Sequence, residues 1–274
     1  MNISLYIPCY NVSAYIDECL KSVFQQTIKI DEVLIIDDGS TDNTLEIVSK
    51  YNVKVLEHKK NKGLSAARNT ALKNAKGDYI ASLDADCVPR NDWLENLMKE
   101  FQSEDIAGVG GMLEEGFQEN TADLWRTLYM PQHWGNERIE NPEFLFGSNN
   151  VFRRKYLIKT GGYNEKLGNN GEDYDMSSRL KKSGYRLIYT PFAKAVHMRR
   201  DTVLSLMRTH WNWYKRFYEP TKLSNILFRV RYNLHCCKER FKRDLKHGNY
   251  HLLPVELYFP FDQFGRDIIY YLKN

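Results

Sequence analysis

The chain has 274 residues, with 39 Lys and Arg against 35 Asp and Glu for a formal net charge of +4, and it is 42% hydrophobic and 27% charged. That balance belongs to a globular protein with one sizeable core and excludes a disordered chain. No apolar run reaches the roughly 18 to 20 residues that a membrane-spanning helix needs.

The chain enters an extended, apolar segment at once (Ile3-Ser4-Leu5-Tyr6-Ile7) and shows no signal-peptide pattern, so a cytoplasmic protein is expected. Cys9, Cys19, Cys87, Cys236 and Cys237 form no Cys-x-x-Cys pair, and are expected as reduced thiols rather than disulfides or zinc ligands. Charge is unevenly spread. From Arg199 to Lys246 there are 13 Lys and Arg against 4 Asp and Glu, a local net charge of +9, so the remainder carries −5. A basic, aromatic tail suits an anionic membrane surface, an acidic substrate or nucleic acid, or is simply a solvated helix face.

In chain order, Ile3 to Pro8 is a predicted strand. Val12 to Gln26 puts Val12, Tyr15, Ile16, Cys19, Leu20, Val23 and Phe24 on one helical face, with Ser13 as its cap. Val33 to Ile36 reads as a strand covered on both faces. A helix follows from about Asp42 to Tyr51, capped by Ser40, then a strand at Val53 to Glu57. A helix from about Ser65 to Asn74 precedes a strand from Tyr79 that ends at Asp84. Asn91 caps a predicted helix reaching Phe101, and Ile106 to Met112 is a further strand. Leu113 to Glu143, with Trp125, Tyr129, His133 and Trp134, gives no clear periodicity. Gly161-Gly162 and Gly168-Asn169-Asn170-Gly171 mark turns. A helix from about Glu172 to Ser183 stops at Gly184, and Arg186 to Tyr189 is a short strand closed by Pro191. Beyond Asp201 the pattern is helical.

Strands alternating with helices imply an α/β fold, Rossmann-like, with a mostly parallel central sheet flanked by helices. Ligands of such sheets lie beyond the carboxyl ends of the strands. Three polar clusters fall there: Cys9-Tyr10-Asn11, Asp37-Asp38-Gly39-Ser40 and Asp84-Ala85-Asp86. A carboxylate after the second strand can accept a base imide or a ribose hydroxyl. There is no Gly-x-Gly-x-x-Gly and no P-loop signature, so dehydrogenase and P-loop readings lose their main support. Arg68, one turn into its helix, can contact a base, ribose or diphosphate, or pair with Asp37 or Asp42. On an extended chain Asp84 and Asp86 would point the same way and suit a hard divalent cation, Mn2+ or Mg2+. Glu172 and Asp173 open a helix, where a carboxylate either simply complements the helix dipole or serves as a base. His197 is either a third metal ligand or a structural histidine.

The chain resembles the inverting glycosyltransferases of family 2, which have the GT-A fold. The matching pieces are IPCYN (Ile7 to Asn11), IIDDGSTDNT (Ile35 to Thr44), NKGLSAARN (Asn61 to Asn69), LDADCVP (Leu83 to Pro89), GSNNVFRR (Gly147 to Arg154), the run from Gly161 to Tyr189, and AVH (Ala195 to His197). The resemblance implies a GT-A domain over 1–200, with a nucleotide-sugar half at 1–112, an acceptor half at 113–200, and a helical basic, aromatic region at 201–274. It implies that Asp38, Pro8, Tyr10, Asn11 and Arg68 hold the nucleoside. Asp84 would face the ribose or sugar, Asp86 a Mn2+ or Mg2+ ion on the diphosphate, and Asp173 would be the base with Glu172 beside it. Asn149, Trp125 and Trp134 are candidates for the acceptor. Expected partners are a nucleotide-diphosphate sugar (UDP favoured over GDP and dTDP) and a hydroxyl-bearing glycan, glycolipid or small molecule. An anionic membrane, met through Trp211, Trp213, Tyr214, Phe217 and Phe228 to Lys246, is a further one; no nucleic acid is expected. Met207 to Trp213 lacks the Gln-x-x-Arg-Trp motif of processive relatives, so single-sugar transfer is expected. The alternatives are a sugar-1-phosphate nucleotidyltransferase, which would want a Gly-rich loop after the first strand, and a nucleotide-sugar-binding scaffold without activity.

Overall fold

The structure is a computed structural model and describes residues 2–167, 170–215 and 219–274; Gly168 and Asn169 of the expected turn, and Phe217 of the tail, lie outside the described residues. Two compact units are present. One comprises the chain up to Gly116 with Pro131–Arg199, the other Phe117–Met130 with Arg200–Asn274. The segment 113–200 is therefore divided between them.

The elements run β1 (Ile3–Cys9), α1 (Ile16–Val23), β2 (Glu32–Asp37), α2 (Thr44–Val48), β3 (Lys54–Glu57), α3 (Leu64–Asn74), β4 (Tyr79–Leu83), β5 (Cys87–Pro89), α4 (Trp93–Met98), β6 (Ile106–Glu115) and α5 (Thr121–Tyr129). They continue with β7 (Ile139–Glu140), β8 (Asn149–Arg153), α6 (Arg154–Lys159), α7 (Glu172–Lys182), β9 (Arg186–His197), α8 (Val203–Tyr214), α9 (Leu223–His247) and α10 (Leu253–Lys273).

In the first unit the sheet order is β3-β2-β1-β4-β8-β6-β9-β5, with β7 also on β9. The strands β3, β2, β1 and β4 are parallel, and β8 runs antiparallel between β4 and β6. Alternate residues of each strand feed opposite faces, as the period of two requires. Leu5, Ile7, Ile35 and Ala81 join α1 and α4 on one side. Tyr6, Leu34, Ile36 and Ile80 join α3, α6 and α7 on the other. Covering both faces explains why β1, β2 and β4 are apolar almost throughout.

Several local expectations are corrected. The last strand does not stop at Pro191; β9 continues to His197. Its pairing with β6 slips between Gly110 and Met112, and Pro191 falls within that interruption, where its missing N–H breaks no rung. Ser13 and Ser40 do not cap helices. The Ser13 N–H donates to Asp42, the Ser40 hydroxyl accepts from the Asn11 N–H, and it is Asp42 that accepts from the Thr44 N–H. Asn91 is likewise not a cap, since Asp92 occupies that position and the helix ends at Met98. All five cysteines are free thiols, four of them buried.

The second unit packs α5, α8, α9 and α10 around Trp125, Leu206, Met207, Cys237, Val255 and Phe259. Buried ion pairs cross this core: Arg126 with Asp201, Arg229 with Asp267 at 2.8 Å, and Arg240 with Glu256 at 2.8 Å. Three of the tail aromatics expected at a membrane turn inward, while Phe228 and Tyr232 are exposed. Trp211 donates to Asp267, Trp213 lies against the Arg126 guanidinium, and Tyr214 stacks on His210. Among the described residues, no helix is long and apolar enough to cross a membrane.

Candidate active site

At the end of β4 the chain does not stay extended. Asp84-Ala85-Asp86 forms a turn closed by the Cys87 N–H donating to the Asp84 carbonyl at 3.0 Å. The two residues therefore sit in a turn rather than on an extended strand. Each has its own cation: Asp84 lies 3.8 Å from Arg68, and Asp86 lies 3.3 Å from His197.

Arg68 is 1% exposed and its geometry is fixed from three directions. One terminal nitrogen donates to the Tyr6 hydroxyl (2.9 Å), the Ser82 hydroxyl (2.7 Å) and the Gly147 carbonyl (2.9 Å). The Nε edge faces Glu172 at 3.4 Å. Arg68 thus pairs with neither Asp37 nor Asp42, as one sequence reading allowed; it joins the β4 turn to the start of α7. Gly147 must be glycine here, because a Cβ would stand 2.3 Å from an Arg68 nitrogen.

These contacts set the charge states. Burial pushes the Asp84 carboxyl up to about 6, against the pull of Arg68, and the nearby Asp86 charge adds to the rise. Burial likewise raises Glu172 to about 7, again opposed by Arg68. Asp173 is raised by burial too, although its oxygens accept from the backbone N–H groups of Tyr174 (2.7 Å) and Gly147 (3.3 Å). Asp86 goes the other way: burial opposes its charge, but His197 outweighs that and holds it below the ordinary carboxylate range. His197 sits between Asp86 and Glu115, the latter 2.8 Å from Nδ1. Burial disfavours the imidazolium, yet these two carboxylates bring its pKa up to about 9.

The nucleoside-side loops are differently arranged from expectation. Asp37 makes the turn, accepting from the Gly39 and Ser40 N–H groups. Asp38 is buried, and its carboxylate accepts from the Lys62 N–H (2.9 Å) and the Gly63 N–H (2.8 Å) and contacts His58 Nδ1 (2.6 Å). It ties the loop before α3 to the end of β2. Tyr10 is 49% exposed beyond β1, Pro8 is half-buried, and Asn11 holds a left-handed φ of 54° while its side chain accepts from the Thr41 N–H.

Two of the three acceptor candidates are corrected. Asn149 is fully buried, accepting from the Trp93 indole and donating to the Met112 and Ala193 carbonyls. Trp125 is fully buried in the second unit and donates to Glu256. Neither presents a face to a ligand. Trp134 is half-buried, and its indole donates to the Phe144 carbonyl and packs with Phe144 and Phe146. Phe144 also touches Tyr174, the neighbour of Asp173.

Sequence reasoning missed His58, Glu115, Tyr6 and Ser82. Their signal was positional: His58 and Glu115 sit at or just past strand ends on the edge where the polar clusters converge.

Among the described residues, no three His, Cys, Asp or Glu side chains form a complete metal cage. The donor set nevertheless fits a hard divalent ion that takes further oxygens from its substrate. Asp86 and Asp84 supply carboxylates, and Asp84 Oδ1 is buried with no hydrogen-bond partner. His197 offers a ligand lone pair only after losing its proton.

Residues 4–161 match the family model for glycosyl transferase family 2, and the chain belongs to that family. It is 32% identical over 200 residues to a chondroitin synthase of Pasteurella multocida (strain Pm70), covering 66% of this chain and 19% of that protein. It is 28% identical over 224 residues to a dolichyl N-acetyl-alpha-D-glucosaminyl phosphate 3-beta-D-2,3-diacetamido-2,3-dideoxy-beta-D-glucuronosyltransferase of Methanococcus voltae, covering 75% of this chain and 70% of that one. The chain spans 19% of the length of the Pasteurella chondroitin and hyaluronan synthases it matches. Its fold is GT-A. The S. aureus TarS 1–349 crystal structure with UDP aligns at a TM-score of 0.62 and 18% identity, over 100% of this chain and 91% of that one. Mannosyltransferase PcManGT from Pyrobaculum calidifontis, in complex with GDP-Man and Mn2+, aligns at 0.58 and 20% identity, over 98% and 74%.

Proposed function

We propose that this chain is an inverting, metal-dependent, non-processive glycosyltransferase that moves one sugar from a nucleotide-diphosphate sugar to a hydroxyl acceptor in polysaccharide or lipid-linked glycan assembly. UDP-sugars are the favoured donors. The observation that carries the reading is the Arg68 guanidinium, 3.4 Å from Glu172 and 3.8 Å from Asp84. It draws the Asp-x-Asp turn and the Glu172-Asp173 pair into one site.

In this reading the donor lies along the edge formed by Pro8, Tyr10, Asn11 and Asp84. Asp86 and Asp84, with His197 when neutral, would hold Mn2+ or Mg2+, which would supply positive charge against that developing on the departing diphosphate. Asp173 takes the proton from the acceptor hydroxyl as that oxygen bonds to the anomeric carbon. The bond from that carbon to the diphosphate oxygen breaks in the same displacement, so the configuration inverts. Its raised pKa suits Asp173 to accepting a proton, and its two backbone donors fix its orientation. Glu172 is held by Arg68 and orders the sugar beside it. Trp134 with Phe144 and Phe146 offers an aromatic wall for the acceptor, and Asp38 acts on the nucleoside through the loop it anchors. Placement is cytoplasmic, with peripheral contact to an anionic membrane.

The test is nucleotide-diphosphate release from UDP-, GDP- and dTDP-sugars with and without Mn2+ or Mg2+. Release that requires the metal and is lost in Asp173→Asn, with donor binding retained, supports the reading. Metal-independent release, or full activity in Asp173→Asn, would refute it.

A further inference from the structure

The helix α10 buries Val255 and Phe259 but carries further apolar residues on its outside. Its inner face holds Glu256, Gln263 and Asp267, all buried, with Gln263 donating to the Met207 carbonyl and Asp267 accepting from Trp211 and Arg229. Its outer face holds Leu257 at 63% exposure, Phe261 at 74%, Phe264 at 43% and Leu272 at 76%, with the half-buried Ile268 between the last two. The spacing of four, three, four and four residues makes one continuous stripe. A second stripe runs along α9 through Leu223, Leu227, Leu234 and Leu245, each also exposed.

The two helices are antiparallel, with Arg229 against Asp267 and Arg240 against Glu256. Counting 100° per residue from those contacts, both stripes fall outside the seam between the two helices. Scattered exposed leucines need no explanation, but two aligned stripes on adjacent helices form a patch that does.

We propose that this α9–α10 face docks on an anionic phospholipid bilayer, lying in its interface. The charge beside the stripes selects that occupant. Arg231, Lys238, Lys242, Arg243 and Lys246 are exposed on α9, and the helix has one exposed carboxylate, Glu239, which already pairs with Lys242. On α10 the carboxylates Glu256 and Asp267 are buried in ion pairs and Asp262 pairs with Arg266. An apolar stripe beside a basic row is the pattern of an interfacial helix attracted to acidic headgroups. This extends the transferase reading by naming the partner surface. It keeps the expected stretch from Phe228 to Lys246, adds α10, and leaves out Trp211, Trp213 and Tyr214, which face the core.

The experiment is co-sedimentation of the full chain with vesicles of phosphatidylglycerol and phosphatidylcholine, against phosphatidylcholine alone, without donor sugar. Binding to the acidic vesicles is expected, falling as salt rises from about 0.05 M to about 0.5 M. Phe261→Ser with Leu272→Ser should cut vesicle partition at least tenfold, as should Arg231→Glu with Lys238→Glu. These side chains are exposed, so unchanged thermal melts are expected and confirm folding. Failure of the native chain to bind acidic vesicles at low salt overturns the proposal. So does a stable dimer that Phe261→Ser with Leu272→Ser dissociates while no vesicles are bound, which would assign the face to a second copy. Donor turnover on a soluble acceptor is read separately, so either result leaves the transferase reading standing.

Discussion

The Nε edge of Arg68 lies 3.4 Å from Glu172, joining the first turn of α3 to the first residue of α7 across 104 positions of sequence. Removing one partner of a buried pair leaves the other charge stranded, at a cost of about 3–5 kcal/mol. Arg68→Met should therefore lower the thermal midpoint and abolish donor binding together. Arg68→Lys should recover part of the stability and little binding, since an ammonium cannot reproduce the fork that reaches Tyr6, Ser82, Gly147 and Glu172. Calorimetric unfolding and donor titration on both variants check this.

The raised pKa of Glu172 makes stability depend on pH. Its carboxyl titrates near 7 in the folded protein and near 4.5 when unfolded, so between those values the folded state binds the extra proton. Stability then falls as pH rises through that window, by about 1.4 kcal/mol per unit of pKa separation. In chelator-treated protein, Glu172→Gln should reduce the slope of the pH profile between about 4.5 and 7, leaving the part that Asp84 and Asp173 contribute. An unchanged slope in denaturant titrations of that variant would remove Glu172 from the account.

Gly147→Ala should act through Arg68, because the new Cβ would stand 2.3 Å from a guanidinium nitrogen. Overpacking of this kind costs about 1–3 kcal/mol. The expected result is a moderately lower melting point with a larger loss of donor affinity. A crystal structure of the variant should show the guanidinium displaced from the Gly147 carbonyl.

Asp38→Asn should destabilise the protein in the absence of any nucleotide. The carboxyl group serves two loop N–H groups and His58, and removing an acceptor from among buried donors costs about 1–3 kcal/mol. If Asp38 mattered only for contacting the base, the nucleotide-free melting point would not move.

Trp125 and Trp134 should separate cleanly. Trp125→Ala opens a cavity in the second unit and should cost about 3–5 kcal/mol of stability. Trp134→Ala should mainly raise the acceptor KM at little cost to kcat, measured by initial rates with donor saturating.

Much of the first unit was legible in the sequence because its strands are buried on both faces. Runs such as Val33 to Ile36 and Tyr79 to Leu83 carry the signal in local composition, and their parallel order brings Asp84 and Asp86 to the same sheet edge. What stayed hidden depends on distant pairing. Nothing local tells Arg68 that β8 will enter between β4 and β6 and deliver Gly147. An Asp-x-Asp looks alike in a strand and in a turn. Pro191 reads as a stop unless the interruption in the β6–β9 ladder is known. Trp125 has the same apolar neighbourhood in sequence whichever core it joins, and it joins the second unit.

The β5–β9 ladder pairs Cys87 with His197. That rung fixes how many residues can separate the end of β4 from β5, so the three-residue turn behaves as a ruler. One residue inserted between Leu83 and Cys87 must either unpair an edge strand or slide β5 by one rung, turning its buried side chains outward. Loop-length tolerance in this protein should therefore collapse at that turn, where sequence substitution alone would have suggested freedom.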